Sequence, residues 1–261
     1  ELPSYAADGL RPILRWAGGR LDRFLIERAG AVASVSPALP LRLGGAANGI
    51  DYVPIPWSVP PSIGRSERQA AREALGLPAE ERVALYAGNL DAYQDPYGML
   101  EALSLLGRER VRITLLLASA SRCDAFLRRA SQLGVKVARC ALEGEARRRQ
   151  VHAAADLAII PRAVPGGLPI KLLDALARGV PCAVSPHAAE GLEDPASTRT
   201  AENATPRALA RAVADLVHAP ALSEQLIERG RTYIATHHAD ARFLCGLDRA
   251  LTRAMQRARD R

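Results

Sequence analysis

The sequence predicts an α/β chain built on a Rossmann-like, doubly wound parallel sheet, and three observations carry that reading. From Val83 to Ser185 short apolar runs alternate with segments of helical periodicity, the pattern that closes into a parallel sheet with helices on both faces. The runs are continuously apolar, as strands covered on both sides require. At Ala154–Ser185, AADLAIIPRAVPGGLPIKLLDALARGVPCAVS, a strand, a glycine-rich turn, a helix and the next strand follow one another directly.

In chain order, residues 1–55 read as a helix, the short strand Ala31–Ser36, a turn at Ala47-Asn48-Gly49 and a strand Ile50–Ile55. This is too little to close a sheet, so it is expected to be the remnant of a first domain. Pro56–Gly64, with three prolines and two serines, reads as a linker, taken as residues 56–66. The main domain, residues 67–238, is expected to hold strands Val83–Ala87, Val111–Leu117, Val135–Cys140, Leu157–Ile160 and Cys182–Ser185. Helices Pro96–Leu106, Ser121–Leu133, Ala146–Ala154 and Pro169–Arg178 alternate with them. Helices Pro206–Val217 and Ala221–Ala235 follow, and a last helix occupies residues 239–261. The first residue is Glu1, so the chain is either processed or begins inside a longer one.

Composition bounds the function. No run approaches the roughly 20 apolar residues of a membrane-spanning helix, and no secretory signal is visible. Cys123, Cys140, Cys182 and Cys245 lack metal-ligand spacing and read as buried free thiols, which favours a reducing cytosol. The net charge of +7 gathers in arginine-rich stretches such as Arg147–Arg149 and Arg249–Arg261. Solvated faces explain these best, and attraction to an anionic membrane comes second. Aromatic residues make up 4% of the chain and are not interleaved with the arginines, which leaves single-stranded nucleic acid without stacking platforms.

The chemistry concentrates at strand carboxyl ends, where ligands bind in parallel sheets. Gly166 and Gly167 permit a tight turn, Pro169 suits the first helical position, and Gly179 followed by Pro181 stops the helix. Free N–H groups and the positive dipole end make such a helix mouth an anion site. Lys171 lies in the first turn and Asp174 one turn later. Of thirty-five basic residues only Lys136 and Lys171 are lysines, so a lysine kept here fits a phosphate through its compact charge. The plainer alternative is a solvated helix residue. Strand Val83–Ala87 likewise runs into Gly88-Asn89-Leu90-Asp91, where Gly88 admits a ligand and Asn89 offers its amide; an ordinary turn is the alternative. His187 falls at the same edge. His237-His238 has no matching ligand cluster, so no metal site is expected. Walker, GxGxxG and nucleophile-elbow patterns are missing.

Together GNLDAYQ (Gly88–Gln94), ADLAIIPR (Ala155–Arg162), GGLPIKLLDALARGVPCAVS (Gly166–Ser185) and EGL (Glu190–Leu192) resemble the group 1, family 4 glycosyltransferases. The likeness covers about Arg82 to Ala254 and is specific for the superfamily, not for a substrate. It implies the GT-B fold, with the donor-binding domain present and the other domain incomplete; AGAVASVSPAL and ANGIDYVPIP look like that domain's closing segments. It further implies sugar transfer from a nucleotide diphosphate sugar without metal or other cofactor, and the lack of an Asp-x-Asp motif agrees.

By matching positions, Gly88 and Asn89 would lie under the diphosphate. Lys171, with amides near Leu168 and Pro169, would hold its charge as the leaving group departs, which makes Lys171 the catalytic assignment. Gly167 would leave room for the sugar, Asp174 would contact the ribose, and Gly166 and Leu172 complete the implied donor-binding set. Two departures stand out: Gly166 replaces a frequent family glutamate, and Gln94 and Asp95 stand where a basic residue is common.

The implied role is a bacterial glycosyltransferase of cell-surface polysaccharide or glycoconjugate synthesis. It would be cytoplasmic or peripheral at an anionic inner membrane face, with a glycan or lipid acceptor and no nucleic-acid partner. A noncatalytic nucleotide-sugar-binding module and a GT-B sugar-nucleotide epimerase are the alternatives. The chain itself is expected to be an incomplete enzyme.

Overall fold

The computed structural model describes residues 11–38 and 50–259. Helix α1 (Arg11–Arg28) leads to β1 (Val32–Ser34), which pairs in parallel with β2 (Ile50–Tyr52). Both strands are shorter than expected, because prolines at positions 37, 54 and 56 offer no N–H to extend a ladder. The expected turn at Ala47-Asn48-Gly49 lies outside the described residues.

After the linker comes α2 (Arg65–Ala74), a helix that the hydrophobic pattern hides because its sequence, RSERQAAREA, is almost wholly polar. Then follow β3 (Arg82–Ala87), α3 (Pro96–Arg108), β4 (Ile113–Ala118), α4 (Asp124–Gln132), β5 (Lys136–Cys140) and α5 (Gly144–Ala154). Next come β6 (Leu157–Ile160), α6 (Ile170–Ala177), β7 (Cys182–Val184) and the one-turn α7 (Pro186–Ala189). The short β8 (Arg199–Thr200), α8 (Pro206–His218), α9 (Pro220–His237) and α10 (Asp240–Arg259) complete the chain.

Six strands form one all-parallel sheet in the order β5-β4-β3-β6-β7-β8. Strand alternation divides its side chains between two cores. Val83, Leu85, Ala158 and Ile160 face α6, while Ala84, Tyr86, Leu157 and Ile159 face α3 and α8. Both faces are apolar, which is why the strands read as unbroken hydrophobic runs. The carboxyl ends of β3 and β6 lie side by side at the centre of the sheet, and their following loops form the site.

Element ends follow local chemistry. Asp95 caps α3, accepting a hydrogen bond from the Gly98 N–H at 3.1 Å, and Pro96 begins the helix. Pro169 caps α6, so the helix starts one residue later than predicted, and Gly179 ends it with φ of 70°. The linker is fastened to the α9–α10 junction: Trp57 N donates to His238 O at 2.8 Å, and His238 Nδ1 lies 2.7 Å from Ile55 O. Helix α10 returns to the first two strands. Gly246 packs on Tyr52 and Val53, Arg253 pairs with Asp51 at 3.2 Å, and Arg257 donates to Ala29 O. One cysteine departs from expectation. Cys123 and Cys182 are buried and Cys140 is half-buried, but Cys245 stands exposed on α10.

Candidate functional site

Lys171 starts on the α6 side of the sheet and reaches a group belonging to the opposite core. Its Nζ donates to the Tyr86 hydroxyl at 3.0 Å and lies 4.3 Å from the centre of that ring. Gly88 makes the crossing possible: a Cβ there would lie 3.1 Å from Lys171 Nζ, and its φ of 141° is one that side chains rarely adopt. The Tyr86 hydroxyl in turn donates to Asn89 O, so one buried phenol ties the lysine to the loop after β3. Asn89 Nδ2 donates to Asp91 Oδ2 at 2.7 Å and lies 3.4 Å from the Tyr93 hydroxyl.

Burial, reinforced by the nearby Arg162 guanidinium, pulls the Lys171 amine down to about 7, while Asp91 acts in the opposite sense. Its charged form is therefore only partly populated at neutral pH. An anion placed beside it draws the proton back on and gains a desolvated cation, for which attraction is stronger than in water.

Arg162 shapes the second loop. Its guanidinium donates to Gly167 O at 2.9 Å and Val164 O at 3.2 Å, and lies 5.8 Å from the centre of the Tyr93 ring. A Cβ on Gly166 would fall 2.1 Å from Arg162 Nη2, so any side chain there must displace the guanidinium from the two carbonyls that hold it. Gly191 has a similar cause, since a Cβ there would sit 2.9 Å from Leu168 Cα. The 191 region thus packs directly on the turn that leads into α6. The Leu172 N–H is spent on Pro169 O at 2.9 Å, which leaves the foremost N–H groups of α6 for a ligand.

The structure gathers Gly88, Asn89, Gly166, Gly167 and Lys171 around Tyr86, Tyr93 and Arg162. Pro169 caps the helix at this edge. Leu168 and Leu172 are buried beneath it, and the Leu172 side chain belongs wholly to the core. Asp174 lies apart. Its buried carboxylate accepts from Arg178 Nε at 2.8 Å and sits 3.8 Å from His152 Nε2 and 3.9 Å from Arg148 Nε, so it is held against α5. Burial pushes His152 below the ordinary histidine range, with Asp174 opposing. His187 Nδ1 is 2.8 Å from Glu190 Oε1 in the loop after β7.

Sequence reasoning passed over Tyr86 and Arg162. Each left a faint signal: a phenol inside the aliphatic strand RVALYA, and an arginine directly after the proline that ends β6. Among the described residues no three His, Cys, Asp or Glu side chains gather as for a metal ion, and no helix is long and apolar enough to cross a membrane.

The profile of the family described as glycosyl transferases group 1 matches residues 67–233, which include both loops. No curated protein is detectably similar in sequence. Among solved structures, Anabaena Alr3699/HepE in complex with UDP-glucose superposes with a TM-score of 0.73 at 16% identity, over 94% of this chain and 67% of that one. WaaG, a glycosyltransferase involved in lipopolysaccharide biosynthesis, gives 0.64 at 17% identity over 78% of this chain and 58% of its own. Sucrose-phosphate synthase (tll1590) from Thermosynechococcus elongatus gives 0.71 at 22% identity over 90% and 62%. The chain spans about two thirds of the length of these neighbours or less, and at such identities the likeness speaks for the fold, that of the GT-B glycosyltransferases. With the family profile running through most of the sheet and both glycine loops, the chain belongs to the group 1 glycosyltransferases.

Proposed function

We propose that this chain carries the donor site of an enzyme that moves a sugar from a nucleotide diphosphate sugar to a glycan, lipid or other acceptor. The observation that carries the reading is Lys171, half-buried over Gly88 at the mouth of α6 with no carboxylate bonded to its amine in the described contacts. In the proposed reaction the bond from the anomeric carbon to the β-phosphate oxygen breaks and a bond to the acceptor oxygen forms. The acceptor hydroxyl loses its proton, and the departing nucleoside diphosphate keeps the electron pair. Lys171 and the α6 amides are aimed where that charge develops, and fixed donors of this kind favour the transition state over the ground state. No cofactor enters this scheme. Asp174 contributes by holding α6 to α5, and its contact with a ribose is part of the proposal.

Calorimetric titration with UDP, GDP and their sugar conjugates tests the reading. We expect one nucleotide to bind, and Lys171→Ala to weaken it by about 1.5–3 kcal/mol, the scale of a charged hydrogen bond. Equal binding by the variant would remove Lys171 from the site. Binding without turnover by the full-length gene product would instead favour a noncatalytic module.

A role in cell-surface polysaccharide or glycoconjugate synthesis accords with the lipopolysaccharide biosynthesis in which WaaG is involved, and we place it on the cytoplasmic side of a membrane. Peripheral membrane contact is supported by α10, where Leu244, Leu251 and Met255 are exposed, and by the net charge of +7. Co-sedimentation with phosphatidylglycerol vesicles but not phosphatidylcholine vesicles is the expected result, and equal pelleting with both would remove the electrostatic part of this reading.

A further inference from the structure

We propose that Tyr86 is a positioning residue of the donor site: its hydroxyl is the strut that holds Lys171 across the end of the sheet and fixes the Gly88–Asn89 loop to it. The inference rests on the donor-site reading for its purpose, but its geometry stands independently.

Three observations meet at this phenol. Its ring is fully buried in the core beneath α3, where a phenylalanine would pack equally well, so packing alone does not call for the oxygen. The oxygen is nevertheless used twice, accepting from Lys171 Nζ and donating to Asn89 O. A buried hydroxyl with both functions met is costly to leave half-satisfied, and it therefore specifies one arrangement of its partners. The lysine also lies over the face of the ring, whose negative quadrupole favours a cation there. Without the hydroxyl, a four-carbon stem carrying a desolvated amine has no directional partner at this position among the contacts described. With it, the amine is held at Gly88, 3.1 Å from where a Cβ would stand. Because Tyr86 has no exposed surface, it acts on a ligand through Lys171 and Asn89 rather than by touching it.

The chain offers an unusually direct test, since Lys136 and Lys171 are its only lysines. Nuclear magnetic resonance of protein labelled at lysine Cε and Nζ will show two signals, and Lys136, paired with Glu81 on the far side of the sheet, serves as internal reference. In wild type the Lys171 ε-methylene should be displaced upfield by the Tyr86 ring. In Tyr86→Phe the Lys171 titration midpoint should move further down, because the charged amine loses its acceptor, while Lys136 stays unchanged. UDP or GDP affinity should fall about three- to tenfold in Tyr86→Phe, the scale of one hydrogen bond, and by less than twofold when the same change is made in Lys171→Ala.

An unchanged Lys171 signal and midpoint in Tyr86→Phe would overturn the proposal, as would an equal loss of affinity in both backgrounds. If Tyr86→Phe fails to fold, the wild-type spectrum still decides: a Lys171 ε-methylene as unshifted as that of Lys136 sinks the strut. Failure of the donor-site reading looks different. Lys171 would then respond to Tyr86→Phe while neither UDP nor GDP moves its signal.

Discussion

The two ends of β6 handle charge in opposite ways. At the amino end, Asp156 is surrounded: its carboxylate accepts from Arg72 Nη2 at 2.5 Å and from the Val83 N–H at 2.7 Å, and Arg68 and Arg82 stand 3.8 and 3.7 Å away. Arg72 and Arg68 spend their remaining reach on Ala154 O and Ala155 O. At the carboxyl end, Lys171 is half-buried beside another cation and its amine is bonded only to a neutral phenol in the contacts described. The first arrangement is complete and joins α2, β3 and β6. In the second no carboxylate is bonded to the amine among the contacts described, and Asp91 acts on it only through space. Satisfied charge secures the fold here, and unsatisfied charge marks the site.

The largest expected effect comes from breaking the complete end. Asp156→Ala should lower the unfolding free energy by about 3 kcal/mol, the lower part of the range for removing one partner of a buried ion pair, because some solvent reaches the carboxylate. Urea denaturation measures it, and nucleotide affinity should stay the same. A loss below about 1 kcal/mol, the value of an exposed pair, would erase the distinction between the two ends.

Next comes the turn between β6 and α6. Gly166→Ala sets a methyl group against the Arg162 guanidinium, which two carbonyls hold in place. Overpacking of this kind costs about 1–3 kcal/mol, and nucleotide binding should fall with it as the turn shifts. Adding Arg162→Met should restore part of the stability lost to the alanine, since the flexible thioether can yield. If the double variant is no better than the sum of the two single ones, Gly166 is a glycine for some other reason.

What was legible in the sequence divides along the same line. Five of the six strands could be read from apolar runs such as Leu157–Ile160, the two-residue polar β8 could not, and the glycine turns could be read because their residues sit next to one another. The placement of Lys171 at the mouth of α6, beyond the carboxyl end of β6, followed from Pro169 and Gly166-Gly167 alone. The partners that give the site its character were not legible, for they come from distant positions: Tyr86 stands 85 residues from Lys171 along the chain. Asp174 is likewise held from α5 by Arg148 and His152, a contact no local pattern announces. Helix α2 escaped notice because its one buried residue is Ala71 and because Arg68 and Arg72 are directed to Asp156 rather than to water.

The effects of pH are the smallest per unit step, and they set stability and binding against each other. Lys171 titrates near 7 in the folded chain against an ordinary 10.5, so between those values the unfolded chain binds more protons than the folded one. Stability must then rise with pH through that window, by up to ~1.4 kcal/mol per pH unit from this residue, and the cost of the buried charge is felt in full only below pH 7. Lys171→Met lacks this component, so the difference between wild type and variant, measured by denaturation at pH 7 and at pH 9, isolates it from every other titrating group. Nucleotide binding should run the other way. Below pH 7 the amine already carries its proton, whereas above it each binding event must take one up, so affinity should decline by at most tenfold per pH unit from pH 7 to 9. A wild-type chain that loses its ligand as it gains stability over this range is what a cation kept short of its counter-charge requires. A flat affinity profile, with the Lys171→Met difference also flat, would mean that Lys171 is as fully satisfied as Asp156 and that the two ends of the strand are alike.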